Sequence, residues 1–112
     1  MQGTCFYMKI KPDKISEYIN IHKKGNVWQE VLNNIKKSGL EKMKIYMLDE
    51  YAIVFVEGKD ISKSFEYLGK MESQLKWNEE TAPYMDTQPD YDSDEPVKTL
   101  ECIFDFENGV QK

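Results

Sequence analysis

Lys42-Met43-Lys44-Ile45-Tyr46-Met47-Leu48 and Tyr51-Ala52-Ile53-Val54-Phe55-Val56-Glu57 are two apolar-rich runs separated only by Asp49-Glu50. That tight spacing predicts an antiparallel hairpin. Its second strand is almost wholly apolar, as expected of a strand covered on both faces. Working outward, each flank of the hairpin carries a helix pair. On the N-terminal side Ile15, Tyr18, Ile19 and His22 fall at i, i+3, i+4 and i+7 on one helical face. Gly25 closes that helix and Asn26 is placed to cap the next. There Trp28, Val31, Leu32 and Ile35 repeat the spacing until Ser38-Gly39 stops it. On the other side Gly58-Lys59-Asp60 turns into a helix near Ile61 to Leu68, and a further helix runs near Ser73 to Ala82, ending at Pro83.

The outermost segments read as strands. Thr4 to Lys11 alternates Phe6, Met8 and Ile10 against Cys5, Tyr7 and Lys9, and Pro12-Asp13 ends it. Lys98 to Phe106 places Leu100, Cys102, Phe104 and Phe106 on one face, after an acidic, irregular loop from Asp86 to Pro96. The order is therefore strand, helix pair, strand, strand, helix pair, strand. This is the split pattern of a ferredoxin-like α+β sandwich, a four-stranded antiparallel sheet with helices on one side. Because the strands carry apolar residues in both alternations, the second sheet face also needs cover. Pairing two sheets across a two-fold axis supplies it, so the pattern predicts a homodimer in the form of a dimeric α+β barrel.

With 112 residues, the chain is expected to form one domain over residues 1–112. It has 20 acidic side chains against 15 basic ones, a net charge of -5, and every basic residue is Lys. The absence of Arg removes the planar fork that grips phosphate, and the acidic balance argues against nucleic acid. It also favours an uncharged ligand over a phosphorylated one. One His and two Cys 97 positions apart do not make a zinc site of the usual spacing. No apolar run approaches the ~20 residues of a membrane span. The first residues lack the basic-then-apolar pattern of a signal peptide. The expected compartment is the cytoplasm, with Cys5 and Cys102 reduced and serving as small buried hydrophobes.

Tyr18-x-x-x-His22 stacks two side chains on one helical face. His is the side chain that both gives and takes a proton near neutrality. The same spacing also suits a core histidine with satisfied nitrogens. On periodicity Trp28 belongs to the core, whereas Trp77 stands among Lys76, Asn78, Glu79 and Glu80, as a pocket wall or as buried packing. Asp90-Tyr-Asp92-Ser-Asp94 with Glu101 lacks the Gly that a calcium loop needs at its sixth place, where Glu95 stands. It reads as a solvated acidic loop.

Across nearly its whole length the chain resembles the L-rhamnose mutarotases, small dimeric ferredoxin-like proteins that interconvert the anomers of a 6-deoxy sugar. The resemblance rests on Phe6-Tyr-Met-Lys-Ile-Lys-Pro12, Glu17-Tyr18 with His22, and Val27-Trp28 followed by Glu30. Further on it rests on Ile45-Tyr46, Gln74-x-x-Trp77 with Met85, and Pro89-Asp90. It implies His22 as proton donor, Tyr18 as a sugar-binding residue and Trp77 as the first of two adjacent sugar-contacting tryptophans. The second of that pair is Asn78 here, and a further sugar-contacting tyrosine is replaced by Met43. The segment between His22 and Trp28 is two residues longer than usual, and Gln29 stands where Pro is common. The implied activity needs no cofactor and no metal. Two other classes fit the same scaffold: a cofactor-free oxygenase acting on an aromatic substrate, and a non-catalytic sugar-binding or interaction protein.

Overall fold

The hairpin forms where its sequence predicts. In a computed structural model that describes residues 1–86 and 97–112, β2 (Leu40–Leu48) pairs antiparallel with β3 (Tyr51–Gly58), closing with Leu48 opposite Tyr51. Asp49 takes the left-handed conformation at φ 51°, one that Asp tolerates better than most residues. The N-terminal strand β1 (Gln2–Lys9) lies antiparallel on the other side of β3, Phe6 facing Val54. A short β4 (Lys98–Thr99) pairs with β1 and completes a sheet of order β2-β3-β1-β4. Four helices cross over between strands: α1 (Ile15–Ile21), α2 (Gln29–Lys37), α3 (Ile61–Leu68) and α4 (Glu72–Thr81). This is the ferredoxin-like arrangement, with the hairpin partner β3 and the first strand at its centre.

Alternation sorts the side chains. Phe6, Ala52, Val54 and Val56 are buried toward the helices. One core cluster gathers Phe6, Leu40, Val54, Val56, Ile61, Leu68 and Val97, and a second gathers Ile10, Tyr18, Ala52 and Met85. Polar groups tie the helices down. Asp60 caps α3 by accepting from the Lys63 N–H, and Ser64 Oγ, fully buried, donates to Ser38 O at 2.7 Å. Asn34 Nδ2 donates to Ser73 Oγ at 2.7 Å, joining α2 to the start of α4.

Several expectations are corrected. The first strand is shifted two residues back, because Ile10 leaves the ladder to bridge Met85, and Lys11 N–H donates to Tyr84 O. Asn26 does not cap α2. Trp28 holds the capping position without a side-chain bond, while Asn26 Nδ2 reaches back to Asn20 O. On α2 the buried pair is Val31 and Asn34, and Leu32 is exposed. The bond to Ser73 draws the polar Asn34 inward and turns the stripe by one position. Ile19 likewise lies in solvent while Ile21 joins the core.

The last strand is the largest correction. Only Lys98–Thr99 pair with β1, Leu100 N–H adds one bond to Cys5 O, and residues 100–112 are exposed. Within them β5 (Phe106–Glu107) and β6 (Val110–Gln111) form a separate hairpin around Asn108-Gly109, both at positive φ, the turn that Asn-Gly favours. Cys102 is exposed and Cys5 half-buried, both as free thiols, so neither is the buried hydrophobe expected. The predicted acidic loop, including Pro89-Asp90 and the Asp90 to Asp94 run, lies outside the described residues apart from Asp86.

Candidate active site

The end of α1 sets the geometry of the site. His22 terminates the helix, and its backbone N–H bonds Ile19 O, three residues back. That tightened turn leaves the Tyr18 carbonyl to the imidazole, whose Nδ1 lies 2.7 Å from Tyr18 O. A carbonyl oxygen only accepts, so Nδ1 carries the proton. The neutral ring therefore presents an Nε2 lone pair, and the protonated ring an Nε2–H.

Aromatic rings hold this imidazole on two sides. The Tyr18 ring lies 4.5 Å away, tilted by 49°, and the Trp77 ring meets it edge-on at 6.1 Å and 89°. Trp28 in turn packs edge-to-face on Trp77 at 5.1 Å. Trp28 is thus half-buried support for Trp77, not a member of the Val31–Ile35 stripe. Trp77 itself is buried on α4 despite its polar neighbours in sequence. Burial pushes the Tyr18 phenol up to about 12, so at neutral pH it is a proton-bearing donor.

Tyr18, His22 and Trp77 line a cavity of about 80 Å³ between the sheet and the helices. Met43, Gln74 and Asn78 line it with them, on a floor that includes Phe6, Met8 and Ile45. A second hollow of about 330 Å³ shares Tyr18, His22 and Ile45 with it and adds Met47. All five residues singled out from sequence, Tyr18, His22, Met43, Trp77 and Asn78, are brought together. Gln74, to which the sequence gives no role, lies one helical turn from both Trp77 and Asn78. No carboxylate is among the described residues lining the cavity. An apolar floor with a few hydroxyl, amide and imidazole groups suits a small neutral polyol.

Comparisons with known proteins bear on family and fold. The family model for L-rhamnose mutarotase matches residues 3–106. Among solved structures, an L-rhamnose mutarotase from Formosa agariphila superposes with a TM-score of 0.75 at 21% identity, covering 96% of this chain and 100% of that one. No curated protein sequence matches. Fold and family together define an isomerase-type enzyme of carbohydrates. More particularly, the chain belongs to the L-rhamnose mutarotase family.

Proposed function

We propose that this protein interconverts the α and β anomers of L-rhamnose or a related 6-deoxy aldose, with His22 as the general acid. The observation that carries this reading is the Nδ1 bond to Tyr18 O, which leaves Nε2 as the ring's one exchangeable position. Protonated Nε2 delivers its proton to the ring oxygen while water takes the proton of the anomeric hydroxyl. The bond from C1 to the ring oxygen breaks and an open-chain aldehyde forms. Rotation about C1–C2 exposes the other carbonyl face. On reclosure the former ring oxygen attacks C1 and returns its proton to Nε2, and water reprotonates the carbonyl oxygen. Tyr18 donates to a sugar hydroxyl, Trp77 offers an apolar wall, and Asn78 and Met43 complete the contact surface.

Anomer exchange of L-rhamnose followed by saturation-transfer NMR tests this. Replacing His22 with Ala should lower the catalysed rate by about 10²–10⁴-fold, the usual worth of a positioned acid or base. An unchanged rate in that variant would refute the mechanism. The same reading places the reaction in the cytoplasm, where Cys5 and Cys102 stay as thiols, and makes the functional unit a homodimer joined through the sheet face that the helices leave open.

A further inference from the structure

Gln74 is 8% exposed, and its Oε1 is a buried side-chain acceptor with no hydrogen-bond partner among the described residues. Leaving such an oxygen unpaired is costly, and most buried acceptors are satisfied. The residue is not loose, since Nε2 donates to Asn78 Oδ1 at 3.3 Å, one turn along α4. It lines the same cavity as Tyr18, His22 and Trp77. Asn78 stands where the family resemblance implies a second tryptophan. An amide pair at this wall therefore replaces an aromatic face that would pack on C–H groups. The torsion carrying the Gln74 amide is soft, so Oε1 can turn toward a group entering the cavity. Turning the amide over would exchange an unpaired acceptor for an unpaired donor, and the wall would still ask for a polar partner.

We propose that Gln74, held by Asn78, is a substrate-binding residue whose Oε1 accepts a hydrogen bond from one ring hydroxyl of the sugar. This makes the α4 wall a reader of hydroxyl position and rests on the mutarotase reading above. Anomer-exchange kinetics of wild type and Gln74→Met, a substitution of similar volume, test it with L-rhamnose and its 2-, 3- and 4-deoxy forms. The variant should raise the KM for L-rhamnose about tenfold, the worth of one neutral hydrogen bond, and change kcat by less than about threefold. With one of the deoxy forms, wild type should already show that loss and Gln74→Met should add nothing to it. Thermal stability should hold or rise, because the substitution removes an unpaired buried acceptor. An equal loss with every sugar, no loss with any, or a clear fall in Tm would overturn the proposal. Should wild type exchange the anomers of neither L-rhamnose nor any other 6-deoxy aldose, the mutarotase reading falls. Saturation-transfer binding of the same sugars then decides, with hydroxyl-selective loss in Gln74→Met upholding the proposal and its absence refuting it.

Discussion

Tyr18 combines two demands in one side chain, a buried ring in the core beside Ile10, Ala52 and Met85 and a phenol at the wall of the cavity. Burial pushes that phenol up to about 12, with a consequence for stability. Below pH 10 the phenol is protonated in folded and unfolded chains alike and adds no pH dependence. Above it the unfolded chain ionises first, so the folded state loses stability as pH rises toward 12. The total is about 2–3 kcal/mol for a two-unit difference. Urea unfolding of wild type and Tyr18→Phe between pH 9 and about 12 should show the variant's midpoint falling less steeply. Parallel curves would mean that Tyr18 ionises in the fold as it does in the open chain. The pairing of Tyr18 with His22 was legible because i, i+4 spacing puts two side chains on one helical face. Gln74 was not, because periodicity reports which residues are turned inward and says nothing of whether a buried amide finds its partners.

At the scale of elements, strand pairing was easier to read than helix faces, for a physical reason. The period of two leaves β2 and β3 only one register that buries Val54 and Val56 together with Ile45. A helical stripe shifts by one position at little cost when a polar contact rewards it, as Asn34 shows. The last strand misled because Leu100, Cys102, Phe104 and Phe106 alternate as a strand does, yet beyond the single Leu100 N–H bond to Cys5 O, residues 100–105 join no ladder among the described residues. The end of β3 carries a sharper test. A Cβ at Gly58 would lie 2.9 Å from Gly39 O and 3.4 Å from Leu40 Cα, both backbone atoms of the turn into β2. Gly58→Ala should therefore destabilise the protein by about 1–3 kcal/mol, the usual cost of overpacking, read as a lower urea midpoint with an unchanged slope. A neutral result would mean that this turn shifts freely.

At the scale of the whole molecule, apolar side chains stay exposed in two places. On the sheet face turned away from the helices, Tyr46, Leu48, Tyr51 and Leu100 are exposed, and the C-terminal segment adds Ile103, Phe104, Phe106 and Val110. A cluster of exposed large apolar side chains is the surface that a protein partner covers. In the proposed homodimer a second copy would bring the same open face and the same arm, so that one two-fold contact would cover both at once. Tyr46 and Leu48 are 58% and 59% exposed in the single chain, so replacing them there should cost the fold little. The double variant Tyr46→Glu, Leu48→Glu would instead put four carboxylates into a two-fold interface, where unpaired buried charge is strongly unfavourable. Sedimentation equilibrium should give twice the mass of one chain for wild type and the mass of one folded chain for the variant. Wild type sedimenting as a single chain would leave the open face without a symmetric partner and refute the homodimer.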